Sequence, residues 1–369
     1  MSLIETLLSM SLASSAVAGA PVVPASALPQ AAPPASKPFV LSPPPVESGP
    51  VIVEGWFDVR EINRIADESE LFDFTGVLIL RWMDPRNAFD PAHAGVAEKV
   101  FQGTYQFDEV SPGWYPQVVL ANDGGACSIG GVVQRVRPDG TSVLVTQITA
   151  TAKSPMNMRR YPFDRHELRA VFEILGFAQD EVAFVANPEL SERPPTRLQV
   201  PQWQIVGANN AVESASSPDH ADPFVASQLV LSIDARRVPF YVMRLVVLPL
   251  VVIVMLSFSV FWMDRSSLGD RINVSFIGIL TGVAYQIVMS QSLPRISYIT
   301  LIHGFLTLSF VTMVATVVIN LLVGSMDKRG RHATGDRIDL RCRWLFPLAY
   351  LTMLVTIGTI AATVFTGGD

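Results

Sequence analysis

The chain is 369 residues long, 49% hydrophobic, with a mean hydropathy of +0.35 and a formal net charge of −6. That is too apolar for an ordinary soluble protein of this size, and an acidic balance argues against a nucleic-acid partner. Its two cysteines, Cys127 and Cys342, sit in different parts of the chain and cannot staple the fold, so stability has to come from packing, assembly and lipid.

Residues 1–20 read as a secretory signal peptide, a short apolar stretch ending in the small residues Ala16-Val17-Ala18 and Ala18-Gly19-Ala20, although Glu5 stands where a Lys or Arg is usual. Residues 21–50 hold ten prolines and predict a stiff, extended linker. Residues 51–238 keep a normal charge content and contain no long apolar run. Short strand-like runs recur there, at 76–82, 132–136, 142–148 and 229–233, and Pro138-Asp139-Gly140 between the second and third of these is a strong hairpin signal. No helix-period segment of comparable strength lies between 75 and 238. The expectation is an extracellular all-β, immunoglobulin-like sandwich of two packed antiparallel sheets.

From residue 239 to 369 the apolar residues collect into spans of about 240–263, 268–291, 296–324 and 344–365. Each is long enough to cross a hydrocarbon layer of about 30 Å at about 1.5 Å per residue. The connection at 326–343 carries Lys328, Arg329, Arg331, Arg337, Arg341 and Arg343, against Arg295 between the second and third spans. The positive-inside rule makes that basic loop cytoplasmic. Both termini and the sandwich then lie outside, as expected of a multi-pass protein of the cell (inner) membrane with a periplasmic or extracellular N-terminal domain.

On a helix, Asn273, Ile277, Leu280, Ala284, Ile287 and Gln291 of the second span form one stripe, because their spacing alternates between four and three residues. The stripe follows an acid, Asp270, passes an amide, turns apolar for about three turns and ends polar. Several copies around an axis would enclose a pore with a charged mouth and an apolar constriction.

Residues 154–168, SPMNMRRYPFDRHEL, closely resemble the signature loop of pentameric ligand-gated ion channels, the Cys-loop receptor superfamily. Ser154 and Leu168 occupy the bracketing cysteine positions and Tyr161-Pro162-Phe163-Asp164 is the core; the missing disulfide is what the prokaryotic branch looks like. Further matches follow in the expected order: Trp82-Met83-Asp84 with Arg86, Trp114-Tyr115-Pro116 before Asn122, Arg237-Val238-Pro239-Phe240-Tyr241, Pro249, Gly269-Asp270-Arg271 and Leu293-Pro294-Arg295. The resemblance covers about residues 52–365 and implies a homopentamer around a central pore, set in membrane lipid, without cofactor and without enzymatic activity.

By that resemblance, rings of Asp270 and Asn273 select monovalent cations, and Ile277, Leu280, Ala284 and Ile287 gate the pore by excluding water. Arg271 points away from the lumen. Coupling between sandwich and pore runs through Asp67 and Glu68, the loop of Tyr161, Pro162, Phe163 and Asp164, Arg237 with Asp164 and Asp67 as available partners, and Pro294 in the 292–297 link. Pro162 is expected to turn the rings of Tyr161 and Phe163 toward the membrane-side surface. The positions that form an aromatic box in amine-gated members are Val77, Ala121, Leu175 and Ala226, with Phe177 and Phe224 as the nearest rings, so the agonist is an unknown small molecule or the proton. Asp219, His220 and Asp222 either hold a divalent ion or are simply solvated. His303 in the third span is either a proton sensor or a packing residue. The rival reading is a non-conducting receptor that signals through 326–343; a hydrolase is excluded, since the faint nucleophile-elbow echo at Cys127-Ser128 lacks its first glycine.

Overall fold

The computed structural model describes residues 44–45, 49–103, 113–187, 198–217, 224–264, 268–291, 293–294 and 296–366. The expected signal segment, most of the proline-rich linker and the cluster Asp219, His220 and Asp222 lie outside these residues.

Strand formation follows the period-two pattern. In β2 (Leu71–Met83) Phe72, Phe74, Leu78, Leu80 and Trp82 all point inward and are buried, while the residues between them are half-exposed. β2 is flanked by β1 (Val51–Ala66) and β6 (Thr141–Lys153), and β6 pairs in turn with β5 (Asp123–Val136) across the Pro138–Gly140 turn. At that turn Gly140 takes a φ of +91°, and the Asp139 carboxylate accepts from the Thr141 N–H at 2.9 Å. With β3 (Lys99–Gly103) and β8 (Val182–Ala186) these strands form a sheet in the order β3-β5-β6-β2-β1-β8. The facing sheet, in the order β4-β7-β11-β10-β9, holds β4 (Val118–Leu120), β7 (Arg165–Ile174), β9 (Gln199–Val200), β10 (Trp203–Ser217) and β11 (Phe224–Arg237).

Rings from both sheets fill the space between them, with Phe57 stacked on Phe172 at 5.0 Å and edge-on to Phe74 at 5.4 Å. The expected sandwich is there, with one difference: β8 runs parallel to β1, a pairing that no hairpin can make and that local turn signals therefore do not reveal.

Beyond Arg237 the chain becomes helical. The helices α1 (Phe240–Trp262), α2 (Leu268–Ser290), α3 (Leu301–Lys328) and α4, whose membrane-length part is His332–Ile360, are all long and apolar enough to cross a membrane. Two boundaries differ from the hydropathy reading. α3 starts at Leu301, where Thr300 caps it by accepting from the His303 N–H. Most of the basic stretch 326–343, expected as a loop, is helix: α4 begins at His332, after a turn at which Gly330 takes a φ of +74°. Hydropathy bounds a span by its apolar content, but Arg and Leu are good helix formers, and Asp339 in this stretch has a buried partner in α2.

Candidate pore face and coupling junction

α2 packs on the other helices with its small and polar face. Arg271, Ser275, Gly282 and Met289 are buried, whereas Asp270, Asn273, Ile277, Leu280, Ala284, Ile287 and Gln291 all lie on the exposed side. Leu280 is 70% exposed, Ile277 62% and Ile287 61%. A helix that buries an arginine and exposes isoleucine and leucine inverts the usual amphipathic arrangement, and such a face needs something outside the chain to cover it.

Arg271 is held inside by two bonds, from Nη2 to Asp339 Oδ1 at 2.7 Å and from Nε to the Val260 carbonyl at 3.1 Å. Buried charge needs this full pairing. The bonds fix the rotation of α2 and turn the neighbouring Asp270 outward. Asp339 carries no signal in a hydropathy reading, because its partner Arg271 lies 68 residues away in the chain.

At the other end of α2 the chain returns to the base of the sandwich. Arg237, the last residue of β11, is only 3% exposed. Its Nε donates to Asp164 Oδ1 at 2.9 Å and its Nη2 to Asp67 Oδ2 at 2.6 Å. The guanidinium lies 4.1 Å from the Trp203 ring centre and 4.8 Å from that of Tyr161. On the far side of Asp164, His166 Nε2 stands 2.7 Å from Oδ2, with both side chains buried. Asp164 and His166 are two residues apart where β7 begins and so share a side of the strand; that spacing was the sequence signal for a partner that motif matching alone passes over.

The Tyr161 ring is 4% exposed and packs against the Arg237 guanidinium. The Tyr161–Pro162 bond is cis. Phe163 is half-buried and Glu68 exposed in the turn Asp67–Ser69. The loop reaches the link between α2 and α3 through the Met158 N–H, which donates to the Tyr298 hydroxyl at 2.9 Å. A cavity of about 440 Å³ lined by Asp67, Tyr161, Arg237, Gln291, Leu293 and Pro294 joins the sandwich base to the end of α2. The end of α2 nearest the sandwich is thus the Gln291 end, and Asp270 marks the far one.

The two carboxylates on Arg237 differ. Burial pushes the Asp67 carboxyl up, against the pull of Arg237, and its Oδ1 is buried without a hydrogen-bond partner. Burial also opposes ionisation of Asp164, but the hydrogen bond from His166 and the charge and bond of Arg237 outweigh it and hold this carboxyl below its usual range. The raised group favours the folded form at low pH, an advantage complete below about pH 3.9 and lost as pH rises through its raised native value. Asp67→Asn should remove that component, so the melting midpoint of the parent should gain on that of the variant as pH falls from about 7 to 4. A constant difference across that range would mean that Asp67 does not titrate there.

The sandwich holds a second cavity, of about 340 Å³, between Leu78, Leu80, Tyr115, Leu144, Thr146 and Leu175, and among the described residues no charged one lines it. Of the two rings nearest the box positions, Phe177 packs edge-on against Trp114 at 6.1 Å, and Phe224 is the first residue of β11, paired with Ser217. Ala226 is fully buried, while Ala121 and Leu175 are exposed. His303 sits in the first turn of α3 with its Nδ1 2.7 Å from the Thr300 hydroxyl.

Residues 39–239 match the family model described as the neurotransmitter-gated ion-channel ligand binding domain, and residues 246–335 match the neurotransmitter-gated ion-channel transmembrane region. The chain is similar to a proton-gated ion channel of Gloeobacter violaceus, 24% identical over 312 residues that cover 85% of this chain and 84% of that one. It is also similar to a gamma-aminobutyric acid receptor subunit beta of Caenorhabditis elegans, 28% identical over 210 residues that cover 55% of this chain and 37% of that one.

Proposed function

Because the chain belongs to the neurotransmitter-gated ion-channel family of pentameric ligand-gated channels, we propose that it forms a homopentameric, cation-selective channel of the inner membrane, with the sandwich on the periplasmic side. The observation that carries this reading is the α2 face: an apolar stripe left exposed by the chain's own packing, with Asp270 at the end away from the sandwich. Five such faces around an axis cover one another and enclose a lumen, and five carboxylates at its cytoplasmic mouth attract cations and repel anions. Ile277, Leu280 and Ile287 form the dry section that closes it, and Arg237 with its two carboxylates links sandwich to pore.

The stimulus in this reading is acidification. The Gloeobacter relative is named a proton-gated ion channel, the box positions Val77, Ala121, Leu175 and Ala226 supply no ring for a cationic amine, and the half-buried Asp67 carboxyl takes up a proton more readily than an exposed one. Recording from purified protein in planar bilayers, while the outer pH is stepped between about 7 and 4, tests it. Cation current that rises on acidification is the expected result. Silent pentamers across the whole range, with and without candidate ligands, would favour the non-conducting receptor.

Selectivity has its own test. Asp270→Asn removes the charged ring while keeping its shape, and should lower cation conductance by up to about tenfold and move the reversal potential toward the anion side in asymmetric salt. Unchanged conductance and reversal potential would place Asp270 outside the lumen.

A further inference from the structure

α1 contains Pro249, which has no N–H, so the carbonyl of Leu245, four residues earlier, lacks the donor that a regular helix provides. The helix widens at this point into a π-turn over Met243–Val247, with the Leu248 N–H bonded to the Met243 carbonyl. In hydrocarbon, where bulk water is absent, a carbonyl freed in this way is satisfied by a local widening of its own helix or by a neighbouring one. The neighbour is α2: the Tyr285 hydroxyl donates to the Leu245 carbonyl and lies 3.2 Å from that of Val246.

The surrounding packing makes this bond a matter of helix position. α2 approaches its neighbours closely at two of its glycines, where a Cβ on Gly278 would come within 2.6 Å of Ser257 Oγ and one on Gly282 within 2.5 Å of Met313 Cε. Arg271 ties the inner end of α2 to α1 through the Val260 carbonyl, and Tyr285 ties the outer half. Leu280, Ala284 and Ile287 project from the exposed face, while Tyr285 is half-buried against α1. A shift or turn of α2 against the α1 and α3 that carry it moves the stripe, and such a movement changes the distance between the Tyr285 hydroxyl and the Leu245 carbonyl.

We infer that Tyr285 is a positioning residue for gating, a latch from the pore helix to the carbonyl that Pro249 leaves free in α1. The inference rests on the channel reading above. It does not touch the lumen, so conductance and selectivity are independent of it. Five latches act together, so the balance between closed and open states responds to the loss of the hydroxyl alone.

The test is a double-mutant cycle between Tyr285→Phe and Pro249→Ala. Tyr285→Phe keeps the ring and removes the donor. In the otherwise unaltered channel it should shift the midpoint of acid activation in planar bilayers by about fivefold or more in proton concentration, with single-channel conductance unchanged. Pro249→Ala returns an N–H to α1 and gives the Leu245 carbonyl a partner within its own helix. In that background Tyr285→Phe should have no further effect on the midpoint. An equal shift in both backgrounds, or none in the parent, overturns the latch. Pro249→Gly restores the same N–H if the alanine variant does not assemble. If the parent does not respond to acid, the melting midpoints of the same set of detergent-solubilised pentamers read the bond without ion flux: Tyr285→Phe should lower the midpoint in the parent and leave it unchanged beside Pro249→Ala. Silence in bilayers together with that melting pattern would reject the channel reading and keep the bond; additive melting shifts would reject the bond itself.

Discussion

Leu280→Ser is expected to make the channel open without stimulus. Leu280 is the most exposed apolar side chain of the α2 stripe, 70% exposed in the single chain, and in a pentamer its copies meet around the axis. Each one that leaves water when the pore closes contributes about 1.5–3 kcal/mol of apolar burial. A serine at the same place loses that burial and adds a hydroxyl that holds water in the section that has to stay dry. Since about 1.4 kcal/mol moves a two-state ratio tenfold, even a small fraction of this loss, summed over the ring, turns a mostly closed population into a mostly open one. Standing current at neutral pH and activation by weaker acid are the expected readings. Ile277→Ser should act in the same direction but less, because Leu280, one turn further along the same face, still closes the constriction. If both variants, confirmed as pentamers, carry no more current than the parent, the gate lies elsewhere on the stripe, at Ile287.

Much of the fold was legible because it is written in short-range patterns. The apolar run at 76–82 marks the second half of β2, which starts earlier, at Leu71, the Pro138-Asp139-Gly140 turn gives the β5–β6 pairing, and four apolar runs give the helices. The stripe of polar and apolar positions on α2 is legible for the same reason, since a single helix fixes which residues share a face. What stayed hidden depends on partners distant in sequence. β8 lies parallel to β1 across more than a hundred residues of intervening chain. The helical start of α4 is invisible to hydropathy because its stability comes from Asp339 meeting Arg271. Motif matching names Tyr161, but the guanidinium that its ring packs against is seen only in the folded chain. The Tyr285 hydroxyl has no meaning without the geometry around Pro249. Motif matching names Asp164 and Arg237, but only the folded chain adds His166 and Trp203 to the same buried group.

That buried group should respond unequally to loss of its acid and loss of its base. Asp164→Ala leaves Arg237 inside the protein with Asp67 as its remaining carboxylate, and the charge of an arginine cannot be discharged by giving up a proton. His166 loses its partner at the same time. Breaking a buried pair from one side costs about 3–5 kcal/mol, a large part of the about 5–15 kcal/mol that holds a domain together. The variant should give little pentamer and a sharply lowered melting midpoint. Arg237→Met is milder. It fills the same space with apolar atoms, Asp164 keeps its bond to His166, and Asp67, whose carboxyl burial already pushes up, escapes its unpaired charge by binding a proton. The two variants should therefore separate with pH. Acidification from about pH 7 to 5 neutralises the stranded carboxylate of Arg237→Met and should restore much of its melting midpoint. The same change brings no relief to Asp164→Ala, where the stranded charge is a guanidinium and protonation of Asp67 removes its last counter-ion. Equal losses in the two variants, or recovery of Asp164→Ala in acid, would mean that Arg237 is not left as a buried, unpaired charge when Asp164 is lost.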